Sequence, residues 1–295
     1  MLRSPEDSTL LVPPIAWNSS PDGCHVRPGP ALLPEEKSSG KAIALRLASD
    51  GYHIAVNDIE ANSSGVDEVV SQIKSMGRNS CAAIADVSKL SDVEHMVQTS
   101  VKELGPLNTM VANAGIAQVK QLLDLTEADF QRMFSINVFG VQNCYATAAK
   151  QIISQGNAKK DDPCKLICAA SIVAFKPFAL LSHYSASKWA VRGLNQAYAM
   201  EMAEHNITAN AYAPGIVGTA MWDLIDEELG KKRGEKLGSV VKKGETIAKF
   251  SQELIALGRT SVPEDVSKTV SFLAAKDSDY MTGQCLVIDG GIIFT

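Results

Sequence analysis

Tyr184 and Lys188 stand four residues apart in His183-Tyr-Ser-Ala-Ser-Lys188. On a helix that spacing puts both on one face, with the ammonium of Lys188 beside the phenol of Tyr184. A free tyrosine titrates near 10, and a nearby cation favours the phenolate. A drop of about three units corresponds to roughly 4 kcal/mol and would give an acid or base usable near neutral pH. Such a pair arises easily by chance, so its surroundings decide. Ser171 lies 13 residues earlier, just beyond the apolar run 165–169, where a hydroxyl would face a ligand crevice. Asn137 sits in Phe134-Ser-Ile-Asn-Val-Phe-Gly140, an apolar stretch in which a buried amide needs hydrogen-bonding partners. Val111-Ala-Asn-Ala-Gly115 follows the run 107–111, and Ala213-Pro-Gly-Ile-Val-Gly-Thr219 follows the run 207–211. Singly, these read as a turn hydroxyl, a core amide and ordinary turns. Together, at the carboxyl ends of successive strands, they describe a proton-transfer site facing one crevice.

The elements that would position them alternate. Short apolar runs at 53–57, 80–85, 107–111, 165–169, 207–211 and 284–288 are separated by helical patterns at 41–48, 65–76, 90–104, 126–155 and 182–203. Strands apolar throughout, each followed by a helix, predict a doubly wound parallel sheet of the Rossmann-like α/β class. Residues 218–260 are charged and helical and read as an insertion over one end of the sheet, where such folds bind ligands.

The chain has 295 residues, 45% of them hydrophobic, with a formal net charge of −5. That balance describes a globular protein with a sizeable core. Without a basic excess or a long basic run, nucleic acid is not an expected partner. Six cysteines (Cys24, Cys81, Cys144, Cys164, Cys168 and Cys285) are scattered without a two-residue clip, so neither a metal site nor structural disulfides are expected. No apolar run approaches a membrane span. Leu10-Leu11-Val12, preceded by Glu6 and Asp7 and followed by Pro13-Pro14, makes a poor signal peptide, and the cytoplasm is the expected location.

Over about residues 41–294 the sequence resembles the short-chain dehydrogenase/reductase family, on Asn113-Ala-Gly115, Asn137, Ser171, Tyr184, Lys188 and Pro214-Gly215 with Thr219. The resemblance implies hydride transfer from a nicotinamide cofactor. Tyr184 would be the general acid/base, Ser171 would hydrogen-bond the substrate carbonyl, and Lys188 would lower the tyrosine pKa and hold the nicotinamide ribose. Asn137 would complete a proton relay from Lys188. The cofactor would meet Asn113, Gly115, Pro214, Gly215, Val217 and Thr219, with Asp86 and Val87 at the adenine. Asp58 ends the run 53–57, 18 residues after Gly40. An acid there accepts hydrogen bonds from ribose hydroxyls and repels a 2′-phosphate, so NAD is the expected cofactor.

Further stretches narrow the resemblance to the diacetyl (acetoin) reductases and 2,3-butanediol dehydrogenases. They are Tyr212-Ala-Pro-Gly-Ile-Val-Gly-Thr-Ala-Met-Trp222, Leu257-Gly-Arg259, Pro263-Glu-Asp-Val266, Asp277-Ser-Asp-Tyr-Met-Thr-Gly-Gln284 and Asp289-Gly-Gly291. A small diketone or hydroxyketone is the substrate that this implies, in a homotetramer. Met221 and Trp222 would lid a pocket walled by Ile172 and Phe178. The runner-up within the family is an NADPH-type 3-oxoacyl reductase.

The head departs from the family. Seven of the 12 prolines (Pro5, Pro13, Pro14, Pro21, Pro28, Pro30 and Pro34) fall in the first 34 residues. The expected division is therefore a divergent segment 1–40 ahead of a catalytic domain 41–295. The family's first strand and Thr-Gly-xxx-Gly-x-Gly turn belong at about 29–40. With Gly40 as the last glycine, the earlier ones fall on Pro34 and Ser38, and Pro30-Ala-Leu-Leu33 is a poor strand. The first strand and phosphate loop are thus expected to be degraded. Losing two charge-assisted hydrogen bonds to a pyrophosphate, at roughly 1.5–3 kcal/mol each, would weaken binding by about 10²–10⁴. Two readings of the head stay open: an N-terminus other than the one the active protein carries, or a non-catalytic homologue that acts by oligomerising with intact family members.

Overall fold

The structure is a computed structural model that describes residues 9–12, 38–237 and 244–295. Its strands are β1 (Thr9–Val12), β2 (His53–Val56), β3 (Ser80–Ala82), β4 (Leu107–Ala112), β5 (Cys164–Ala169), β6 (Ile207–Pro214) and β7 (Cys285–Ile288). They form one seven-stranded sheet in the order β3-β2-β1-β4-β5-β6-β7, parallel at every pairing. The order reverses between β1 and β4, and the crevice for ligands opens beyond the carboxyl ends of the strands at that switch.

The doubly wound sheet is as the alternation predicts, but its first strand comes from elsewhere. Leu10-Leu11-Val12, unconvincing as a leader, belongs to β1, which lies at the centre of the sheet. Leu10 pairs with Ile54 on one side and Thr109 on the other. The expected site at 30–33 and the expected turn before Gly40 lie outside the described residues. Gly40 itself is buried in the first turn of α1 (Ser39–Ser49), whose N-cap Ser38 accepts from the Lys41 amide at 3.3 Å. A division at residue 40 therefore runs through the sheet rather than beside it.

Side chains alternate across each strand, so β4 and β5 feed two cores. Met110, Leu166 and Cys168 pack with Met96, Tyr145 and Ile152 from α3 (Leu90–Leu104) and α5 (Gly140–Gln155). Val111 and Ile167 pack on the other face with Ile43, Leu47, Val266 and Val270 from α1 and α9 (Pro263–Ala274), beside α2 (Ser63–Ser75). Both faces of the central strands are covered, which is why their sequences are apolar throughout.

The helical pattern at 126–155 resolves into α4 (Glu127–Phe134), a single π-turn (Ser135–Phe139) and α5. Such π-turns frequently mark functional positions, and Asn137 sits within this one. After β5, α6 (Ser182–Met202) carries Tyr184 and Lys188. The charged insertion forms α7 (Ala220–Leu237) and α8 (Glu245–Leu254). No described helix is long and apolar enough to cross a membrane.

Candidate active site

A cavity of about 340 Å³ opens at the carboxyl ends of β4, β5 and β6. Ser171, Tyr184, Lys188, Asn113 and Gly115 line one part of it, with Pro214, Gly215, Val217 and Thr219 from the turn after β6. Ile172 and Phe178 wall it, as expected, and Met221 and Trp222 of α7 lie over it. Lys188 is the one charged side chain among its described lining residues.

Asn137 is fully buried and ties the turn after β4 to α6. Its Oδ1 accepts from the Ile116 amide at 2.8 Å, and its Nδ2 donates to the Ile116 carbonyl at 3.0 Å and to Ser187 Oγ at 3.1 Å. The π-turn aims an amide from a helix interior at a neighbouring loop, which satisfies the buried polar group. Asn137→Ala strands the Ile116 donor and acceptor. At about 1–3 kcal/mol for each of these two unpaired buried groups, the variant should lose about 2–6 kcal/mol of stability. An unshifted urea midpoint would contradict this.

Tyr184, Lys188 and Ser171 converge as expected, but their electrostatics differ from the spacing argument. Burial pushes the Tyr184 phenol up to about 12, against a smaller lowering by its hydrogen bond with Ser171. Burial also pulls the Lys188 ammonium down to about 8. The expected depression of the phenol by the ammonium is therefore not what this environment produces. Lys188 Nζ lies 5.8 Å from the centre of the tyrosine ring and donates to the Ala169 carbonyl at 2.8 Å. For both groups, burial disfavours the charged form and outweighs the neighbouring groups that favour it.

The glycines after β4 and β6 have steric reasons. A Cβ on Gly115 would stand 3.2 Å from Asn137 Oδ1 and 3.4 Å from Lys188 Nζ, filling the space in front of both. A Cβ on Gly215 would come within 2.6 Å of the Asp289 Cβ, so bare backbone lets the end of β6 pack on the turn after β7. Thr219 is buried, its Oγ1 donating to the Val217 carbonyl at 3.4 Å. Asn113 accepts from Tyr212 Oη at 2.5 Å, joining β4 to β6 across β5.

Asp58, Asp86 and Val87 do not line this cavity; they stand beyond β2 and β3, along the other arm of the crevice. Asp58 is 2% exposed. Its Oδ1 accepts from the Ile59 amide at 2.7 Å and its Oδ2 from Asn62 Nδ2 at 2.6 Å. Burial raises its carboxyl to about 6, with the Asn62 and Ile59 bonds acting in the opposite direction. Asp86 accepts from the Ser88 hydroxyl at 2.7 Å, and buried Val87 accepts at its carbonyl from Asn143 Nδ2 at 2.9 Å.

Motif reading missed part of the cavity. Tyr212, Ile225 and Leu229 line it, as do Phe250 and Leu254 of α8. The four-residue spacing of Phe250 and Leu254 was the available signal, since it places both on one face of a helix.

The chain matches the short chain dehydrogenase family over residues 37–230. It is 41% identical over 255 residues to an L-2,3-butanediol dehydrogenase of Corynebacterium glutamicum, covering 86% of this chain and 94% of that one. With a diacetyl reductase [(S)-acetoin forming] of Staphylococcus epidermidis it shares 42% identity over the same length and coverages. Among solved structures, a short chain dehydrogenase from Burkholderia cenocepacia in complex with NADP superposes with a TM-score of 0.77 at 24% identity, covering 98% of this chain and 99% of that one; at that identity it speaks for the fold alone. Strand order, the convergence of Ser171, Tyr184 and Lys188, and these matches have one conclusion: the chain belongs to the short-chain dehydrogenase/reductase family.

Proposed function

We propose that this protein is an NAD-dependent reductase of small diketones and hydroxyketones, diacetyl and acetoin, with Tyr184 as general acid. The observation that carries the reading is the cavity: a serine, a tyrosine and a lysine at one side, and an apolar roof opposite. It suits a small uncharged carbonyl compound, which supplies little binding energy of its own and needs enclosure. The names of the Corynebacterium and Staphylococcus relatives point the same way.

The described residues fit a dinucleotide. The space that a Cβ on Gly115 would fill, in front of Asn137 and Lys188, suits a ribose, and the acceptor carboxylate of Asp58 at the end of β2 suits ribose hydroxyls. Asn113, Gly115 and Lys188 would hold the nicotinamide ribose, and Pro214, Gly215, Val217 and Thr219 the ring's amide side. Asp58, Asp86 and Val87 would hold the adenosine. Gly40 and the N-terminus of α1 would face the pyrophosphate. When bound, the nicotinamide supplies a hydride to the carbonyl carbon. Ser171 holds the carbonyl oxygen, Tyr184 gives its proton to that oxygen, and Lys188 and Asn137 lie on the route by which Tyr184 recovers it.

The raised tyrosine sets the pH dependence. Reduction needs the proton on Tyr184, and oxidation of the alcohol needs it removed. With the phenol held up at about 12, it stays protonated through neutral and mildly alkaline pH. Initial rates of diacetyl reduction should be level between about pH 6.5 and 7.5, below the loss of the Lys188 proton at about 8, while alcohol oxidation climbs with pH. A reduction rate that already falls about tenfold per unit between about pH 6.5 and 7.5 would contradict the assignment.

Exposed Phe139, Trp189 and Met200, on the π-turn and α6, suit packing against further copies of the chain, in keeping with a homotetramer. Cys81, Cys144, Cys164, Cys168 and Cys285 are free thiols, in keeping with the cytoplasm. The second reading, a cofactor-free homologue, is favoured by one observation. β1 ends at Val12 and the sequence continues Pro13-Pro14, two residues without amide donors, where the family's glycine turn would start. Fluorescence titration of the full chain with NADH separates the two. Saturation in the micromolar range supports the enzyme, and none up to millimolar NADH supports the homologue.

A further inference from the structure

The roof of the cavity comes from two helices. Met221, Trp222, Ile225 and Leu229 belong to α7, and Phe250 and Leu254 to α8. The N-terminus of α8 has no cap of its own: the N-cap position is Gly244, which has no side chain to accept from the first-turn amides. Those amides are satisfied from the other helix. Asp226, on α7 and 2% exposed, accepts from the Gly244 amide at 2.5 Å through Oδ2 and from the Ile247 amide at 2.7 Å through Oδ1. A carboxylate there satisfies two orphan donors and complements the positive end of the helix dipole. Its neighbours Glu227 and Glu228 point to solvent and pair with Lys231, so the role belongs to Asp226 among three consecutive acids.

We propose that Asp226 is a positioning residue for substrate: by capping α8 from α7 it holds Phe250 and Leu254 over the cavity and so sets the affinity for small apolar ketones. The consequence for substrate rests on the ketone-reductase reading; the cap does not. Asp226 touches none of the residues assigned to proton transfer, so loosening it raises KM more than it lowers kcat. Asp226, Gly244 and Ile247, which make the cap, are not among the residues assigned to NADH, so NADH affinity changes far less than KM.

The test compares the full-length wild type with Asp226→Ala and Asp226→Asn by two measurements. The first is backbone hydrogen exchange over 244–254, with α9 as the internal control. The alanine variant should exchange at least tenfold faster in α8 and unchanged in α9. Asparagine, itself a good N-cap, should fall between. The second is steady-state kinetics on diacetyl, where the alanine variant should raise KM about tenfold or more with kcat within about threefold and NADH affinity within about twofold. Unchanged exchange in α8 would overturn the cap. Faster exchange in α8 with an unchanged KM would overturn its role in substrate binding, as would kcat and NADH affinity falling in step with KM. A wild type that turns over no diketone would contradict the ketone reading instead, and the exchange measurement would still decide the cap.

Discussion

Replacing Tyr184 by phenylalanine should lower turnover of diacetyl by at least about two orders of magnitude while the protein stays folded. The ring fills the same buried space, so packing on Ile116, Ile172 and Leu181 is kept, and the loss to stability is confined to the hydrogen bond with Ser171. What disappears is the phenol that the proposed mechanism uses to protonate the substrate carbonyl, and positioned proton transfer contributes about 10²–10⁴ in rate. Because Lys188 keeps its bond to the Ala169 carbonyl, NADH affinity should change little. The check is kcat alongside a melting curve and an NADH titration. Near-normal turnover by a folded, NADH-binding variant would remove Tyr184 from the chemistry.

The second large effect concerns the choice of cofactor. Asp58 is a buried carboxylate at the end of β2, and a 2′-phosphate about 5 Å away would meet repulsion of about 3 kcal/mol per unit charge at an effective dielectric near 20. Asp58→Ala should therefore narrow the ratio of kcat/KM for NADH over NADPH by about tenfold to a hundredfold, and raise the KM for NADH through the lost hydrogen bonds. The wild type offers an independent check through pH. Burial holds the Asp58 carboxyl up at about 6, so it is charged at pH 8 and largely neutral at pH 5. The preference for NADH should be widest at the alkaline end and shrink as pH falls through 6. A ratio indifferent both to the substitution and to pH would refute the role of Asp58.

Much of this was legible in the sequence because one pattern served two purposes. Strands buried on both faces are apolar throughout, so the runs at 53–57, 107–111, 165–169, 207–211 and 284–288 mark β2 and β4 to β7 closely. The chemistry-bearing residues stand just past the ends of those runs, so finding the strands found Ser171, Gly115 and Thr219. β1 was hidden for the converse reason. Its apolar core is only Leu10-Leu11-Val12, and the glycine turn that would identify it is replaced by prolines. The π-turn at Asn137 has no periodic signature, and only a polar residue in an apolar stretch betrayed it. Spacing put Tyr184 and Lys188 on one helix face, but the titration of both is set by burial, which spacing does not encode. Asp226 was invisible because its type matches that of Glu227 and Glu228; their difference is whether the helix face meets α8 or water.

In the proposed function, the cavity beside Ser171, Tyr184 and Lys188 reduces a small diketone at the expense of NADH. Its most direct test is the initial rate of NADH oxidation by the full 295-residue chain on addition of diacetyl, run in parallel with NADPH. The expected result is saturable turnover with NADH and a kcat/KM at least tenfold lower with NADPH. A folded chain that oxidises neither cofactor in the presence of diacetyl or acetoin would contradict it.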